Sequence, residues 1–106
     1  MTAIAGSVAL VTGASYGLGE MIARSLSERG ARVALAARSR ESLDAIAAEL
    51  RAAGRDAIVV TSDLSRREAP EELVRAVERD LGPIDILVTN TGGPPARPDP
   101  LSFPRE

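Results

Sequence analysis

The strongest constraint on this chain is a change of hydrophobic period that recurs along its length. Four short β-type runs, Ser7–Thr12, Arg32–Ala37, Asp56–Thr61 and Ile84–Thr89, alternate with three helical patterns. The runs are almost continuously apolar, as expected of strands covered on both faces of a parallel sheet. Gly30 and Gly54 precede the second and third runs as helix stops, and Gly82-Pro83 precedes the fourth. Between the runs the period becomes that of a helix. Leu43, Ile46, Ala47 and Leu50 fall on one face of the second helical pattern, and Leu73, Ala76, Val77 and Leu81 on one face of the third. Leu18, Met21, Ile22 and Leu26 form a slightly less regular stripe in the first. Ser65-Arg66-Arg67-Glu68 reads as a capping box for the third helix, whereas Pro70 suits the first turn of a helix beginning near Ala69. The sequence leaves both starts open.

This βαβαβαβ order predicts an α/β fold, a doubly wound parallel sheet with helices on both faces. The strand starts recur at roughly a leucine-rich-repeat period, but no residue pattern repeats with them, which argues against a solenoid. The 106 residues fit one small domain. They include 8 Val, 6 Ile and 11 Leu, enough large aliphatics for a packed core. Residues 1–93 read as one folded segment. Five of the seven prolines lie in residues 94–106, which read as an irregular tail.

Composition excludes much chemistry. All 13 basic residues are Arg, and Lys, His and Cys are absent. Disulfides, Cys/His metal sites, thiol nucleophiles, Ser-His catalysis and a catalytic lysine are therefore not expected within these residues. A net charge of −2 gives no field for nucleic acid or an anionic membrane. Tyr16 and Phe103 cannot form a base-stacking platform. No basic residue precedes Arg24 and no apolar run approaches a membrane span, so the expected compartment is the cytoplasm.

Thr12-Gly13-Ala14-Ser15-Tyr16-Gly17-Leu18-Gly19 joins the first strand to the first helix. In such a loop Gly13 permits a sharp turn out of the strand, Gly17 lets a pyrophosphate or ribose approach the main chain, and Gly19 lets the helix pack close to the sheet. The helix N-terminus near Gly17 offers free N–H groups and partial positive charge to a phosphate. A P-loop would need a Lys, and the G-x-G-x-x-G fingerprint a different glycine spacing.

The T-G-x-x-x-G-x-G spacing resembles the cofactor loop of the short-chain dehydrogenase/reductase family. Three further stations agree in order and spacing: Ala37-Arg38-Ser39 after the second strand, Asp63-Leu64 after the third, and Asn90-Thr91-Gly92 after the fourth. The resemblance covers residues from about Gly6 to Gly92. It implies a Rossmann-type sheet of about four strands in the order 3-2-1-4 with three helices. It also implies a dinucleotide site built from Gly13, Ser15, Tyr16, Gly17, Leu18, Gly19, Arg38, Ser39, Asp63, Leu64, Asn90 and Gly92. Asp63 would accept from the adenine amino group, with Leu64 adding a backbone contact, and Asn90 would hold the central strand end against the cofactor. The family's usual Asn-Asn-Ala-Gly reads Thr89-Asn90-Thr91-Gly92 here, followed by Gly93-Pro94-Pro95. That variant is similar to 3-oxoacyl-carrier-protein reductase-like members.

Charge at the end of the second strand separates the two nicotinamide cofactors. An acidic side chain there binds a ribose 2′-OH and repels a 2′-phosphate. Ala36 and Ala37 leave the position neutral, and Arg38 follows with Ser39 beside it, so NADP(H) is favoured over NAD(H). Arg40 is placed to assist.

The resemblance also implies catalysis by a Tyr and a Lys four residues apart, with a preceding Ser. Tyr16 is the sole tyrosine, lies in the phosphate loop, and has no Lys to partner it. No catalytic residue is therefore expected within the chain. It reads as the cofactor-binding portion of an NADP(H)-dependent short-chain oxidoreductase. The alternatives are a free-standing dinucleotide-binding module or the remnant of an interrupted gene. A complete product is expected to be a homo-oligomer, whereas the 106-residue chain, with Ile84–Thr89 as an apolar edge, is expected to self-associate.

Overall fold

Four parallel strands form one sheet in the order β3-β2-β1-β4. A computed structural model describes residues 4–90. Gly92 and the Pro-rich stretch 94–106 lie outside the described residues. The elements are β1 (Val8–Thr12), α1 (Gly17–Glu28), β2 (Arg32–Ala37), α2 (Arg40–Ala52), β3 (Ala57–Thr61), α3 (Ala69–Asp80) and β4 (Ile86–Val88). The expected order and all three helices are present.

Alternation along the strands builds two cores. Ala9 and Val11 of β1, Val33 and Leu35 of β2 and Ala57 of β3 pack with Ala23 of α1 and with Leu43, Ile46, Ala47 and Leu50 of α2. The intervening residues Val8, Leu10, Ala34 and Ala36 pack on the other face with Leu73 and Val77 of α3. Successive strand side chains point to opposite faces, so near-continuous apolar runs are what a doubly covered sheet requires. The central strand β1 is buried throughout. The edge strand β4 is not: Leu87, opposite Leu10 in the register, remains 57% exposed.

The first two helices end by a common device. Around Gly30, Ala31 N–H donates to Leu26 C=O and Gly30 N–H to Ser27 C=O, and α2 repeats both bonds around Gly54. These paired bonds satisfy carbonyls that a helix end leaves open. The third helix begins at Ala69 with Pro70 in its first turn, which settles the boundary that the sequence left open. The capping box does not form. Ser65 Oγ instead donates to Asp63 Oδ1 at 2.7 Å, and Glu68 at the N-cap makes no side-chain capping bond.

The first helix departs from the apolar stripe read in the sequence. Its buried residues are Gly19, Ala23 and Ser27, while Leu18 and Met21 are 60% and 65% exposed. A methyl group at Gly19 would lie 2.0 Å from the Gly13 carbonyl oxygen. That approach fixes which side of α1 meets the sheet, and the small residues one and two turns later follow it inward. Leu18 and Met21 are thereby rotated outward despite their hydrophobicity.

β4 is also shorter than the predicted run, because Asp85 serves as a clasp. Its carboxylate Oδ2 accepts the Val8 N–H at 2.9 Å, and its own N–H donates to Val8 C=O at 2.9 Å. Val8 is 1% exposed, so its N–H has little access to another acceptor. Ser27 shows the opposite situation: its hydroxyl is buried with no hydrogen-bond partner among the described residues. Asp85→Ala is therefore expected to lower stability by about 1–3 kcal/mol, the cost of stranding a buried donor. Ser27→Ala is expected to be neutral or stabilising, because it removes an unpaired hydroxyl and favours helix. Urea unfolding of both variants checks the pair. Equal destabilisation would contradict this account.

Candidate functional site

A parallel sheet brings the carboxyl ends of its strands to one edge, where the loops that follow them converge. The order β3-β2-β1-β4 places the sequence stations, the fourth as far as Asn90, side by side there. A cleft of about 630 Å³ opens among them. Gly13, Ser15, Tyr16, Arg38, Ser39, Asp63, Leu64 and Asn90 line it. Thr12, Ala37, Ser62, Ser65 and Thr89 complete the wall. Gly17, Leu18 and Gly19 lie in the first turn of α1, outside this wall, and Gly92 lies outside the described residues.

The glycine loop has a distinct demand at each of its last two glycines. Gly17 adopts φ +63, a left-handed conformation strained for residues with a side chain, and space is open where its Cβ would project. Gly19 has ordinary φ but no room for Cβ, with Gly13 O at 2.0 Å and Asn90 Nδ2 at 2.8 Å from the added atom. Tyr16, at the N-cap of α1, is extended and makes no side-chain capping bond. The first N–H groups of the helix are therefore left to solvent or a ligand, in the partial positive field of the helix end.

Thr12 and Asn90 tie the loop to the end of β4. Thr12 Oγ1 accepts the Asn90 N–H at 2.9 Å, and Asn90 Nδ2 donates to Gly13 C=O at 3.3 Å. The carbonyl that Gly19 crowds is thus the one that Asn90 holds. The hydroxyl of Thr12 was part of the motif but not of the predicted binding set. Its role depends on a partner 78 residues away, which no local pattern reveals.

Arg38 follows β2 and is exposed, with no carboxylate within ion-pair distance among the described residues. Arg40, by contrast, sits in the first turn of α2 and pairs with Asp44 at 3.5 Å. Ser39 is the N-cap of α2 but its hydroxyl makes no capping bond among the described residues. Asp63 closes a local turn: its Oδ1 accepts both the Ser65 N–H at 3.0 Å and the Ser65 hydroxyl at 2.7 Å. These two bonds hold its carboxyl below the ordinary carboxylate range, with smaller help from the charges of Arg38 and Arg66. Oδ2 keeps its acceptor capacity. A second cleft, of about 570 Å³, shares Arg38, Ser62 and Asp63 with the first and extends along α3 past Arg66, Glu72 and Ala76. Neither Ser62 nor Arg66 was predicted. Ser62 follows the third strand directly, so its position at a strand end was the available signal.

A four-stranded parallel sheet in this order, with a strand-end cleft, an open helix N-terminus and a crowded Gly19 beside it, defines a Rossmann-type α/β protein. The chain belongs to the short chain dehydrogenase family, whose model matches residues 7–103. It is 44% identical over 89 residues to gluconate 5-dehydrogenase of Gluconobacter oxydans, covering 84% of this chain and 35% of that protein. Likewise it is 39% identical over 89 residues to 2,3-dihydro-2,3-dihydroxybenzoate dehydrogenase of Bacillus subtilis, covering 84% of this chain and 34% of the relative. Among solved structures, a metagenomic short-chain oxidoreductase in complex with NADP matches with a TM-score of 0.75 and 43% identity, over 81% of this chain and 39% of the other. An actinorhodin polyketide ketoreductase with NADPH matches with a TM-score of 0.77 and 45% identity, over 88% and 35% of the two chains. The chain thus spans little more than a third of the length of these proteins.

The Asp63 turn has a pH dependence of fixed sign. Its folded carboxyl titrates below the ordinary value of 3.8, so its contribution is complete above that value and is lost as pH falls through the folded pKa. The Ser65 amide resonance is expected to titrate with a midpoint below 3.8, and Ser65→Ala to move the Asp63 midpoint upward. A carboxyl titration followed by NMR measures both. An unmoved midpoint in Ser65→Ala would remove Ser65 as the cause.

Proposed function

We propose that this chain is the NADP(H)-binding part of a cytoplasmic short-chain oxidoreductase that interconverts a carbonyl and an alcohol. One observation carries the cofactor choice: Arg38 stands at the end of β2 without a carboxylate partner among the described residues, beside the hydroxyl of Ser39. A planar guanidinium can bind a phosphate through two parallel hydrogen bonds. The solved relatives with NADP or NADPH support the same choice. When bound, NADP(H) supplies or accepts the hydride.

The chain's own residues bind and orient. Gly17 and Leu18, at the open end of α1, present main-chain N–H groups to the pyrophosphate. Gly13, Ser15 and Tyr16 form the loop floor, and Gly19 keeps that floor against the helix. Asp63, through the oxygen that Ser65 leaves free, accepts from the adenine amino group while Leu64 adds a backbone contact. Asn90 holds the loop carbonyl at Gly13; the role expected of Gly92 falls outside the described residues. The 106 residues contain no Lys, and their one Tyr stands at this loop, so the proton transfer falls to residues outside this stretch.

Arg38→Asp in the intact protein is expected to weaken NADPH binding by tenfold or more, the scale of a lost charge-assisted pair, and to leave NADH binding equal or tighter. Fluorescence titration with each cofactor measures this. Unchanged NADPH affinity would remove Arg38 from the 2′-phosphate site.

The exposed edge at β4 supports a second expectation, for the 106-residue chain in isolation. It self-associates, and Leu87→Lys reduces that association by placing a charge on the apolar edge. Sedimentation of both chains decides it. A monomeric wild-type chain with a cooperative transition at high temperature would refute it.

A further inference from the structure

The cleft along α3 contains a cation that the cofactor reading does not use. Arg66 faces it together with Arg38, Asp63 and Glu72. Its guanidinium lies 3.6 Å from Glu72 Oε1 through Nη1 and 3.9 Å from Glu68 Oε1 through Nη2. Glu72 therefore has a cation of its own, while Arg38, on the same cleft, pairs with no carboxylate among the described residues. Glu72 is the one acidic residue of α3 that lines the cleft together with Arg38. Asp63, between the two clefts, is held first by Ser65 and lies within the electrostatic reach of both guanidinium groups.

We infer that Arg66 is a positioning residue for cofactor specificity: by occupying Glu72, it leaves Arg38 available to a 2′-phosphate. The inference rests on the NADP(H) reading above and names the residue that protects it. Arg66 exerts this effect through Arg38 and does not itself touch the phosphate. Because Arg66 and Glu72 are both more than half exposed, the effect is modest, about a two- to fivefold change in affinity.

The test is a cofactor-binding cycle on the intact protein, titrating NADPH and NADH against wild type, Arg66→Gln and Arg66→Gln/Glu72→Gln. Arg66→Gln is expected to weaken NADPH about two- to fivefold and leave NADH unchanged, with NADPH affinity restored in the double variant. Undiminished NADPH binding by Arg66→Gln would overturn the inference. So would an equal loss for both cofactors, which marks a structural defect, or a double variant that stays weak, which marks direct contact of Arg66 with the phosphate. If wild type itself does not prefer NADPH, the cofactor reading fails and this inference fails with it. That outcome is seen before any variant is compared.

Discussion

The Gly13 carbonyl is the point on which the rest of the structure is registered. Gly19 approaches it so closely that a single added methyl would overlap it, and Asn90 donates to the same oxygen from the end of β4. One backbone atom therefore sets the rotation of α1 and ties the loop to the neighbouring strand. With α1 so placed, Ala23 and Ser27 turn to the sheet and the open N-terminus of the helix stands at the strand-end cleft. Close packing of this kind tolerates little added volume, because protein interiors are filled nearly to crystal density. The same contact thus controls both core packing and the shape of the glycine loop.

That constraint explains which parts of the fold were legible in the sequence. The stripes of α2 and α3 were readable because Leu43, Ile46 and Leu50, or Leu73 and Val77, bury at helical spacing with no competing demand. In α1 a backbone contact outweighs side-chain hydrophobicity, so Leu18 and Met21 of the apolar stripe stand exposed. The order of the strands was legible through a family resemblance, and the strand-end stations through glycines and charge. Polar bonds between distant residues were not. Thr12 with Asn90, and Val8 with Asp85, join opposite ends of the described chain, and neither pair leaves a local periodic trace. Ser65 shows the complementary difficulty: a capping motif and an aspartate turn compete for one hydroxyl, and the turn forms because α3 begins at Ala69 and not next to Ser65.

The two faces of the sheet are unequally covered. Two helices pack over one face and one helix over the other, and Leu87 remains exposed on the side shared with Leu10. Burying one such side chain contributes about 1.5–3 kcal/mol, a substantial part of the stability of a small domain. The wider distribution of core residues agrees with this asymmetry, since β1 is buried from end to end while β4 is only partly covered. The strand-end cleft above β1 and β2 consequently rests on the best-packed part of the sheet.

Electrostatic magnitudes then decide how Arg38 should be read. A cation just before α2 faces the positive end of the helix dipole, an arrangement that costs about 0.3–1 kcal/mol at an exposed site. Glu41 in the first turn and the Arg40–Asp44 pair reduce that cost locally, but neither engages Arg38. On the proposed reading, the compensation comes with the ligand: hydrogen bonds between charged groups contribute about 1.5–3 kcal/mol each. On the same reading, the misplaced surface charge of Arg38 is a phosphate-binding group seen without its partner. The penalty in the free protein is small enough for a marginally stable fold to carry, and smaller than the interaction it makes available.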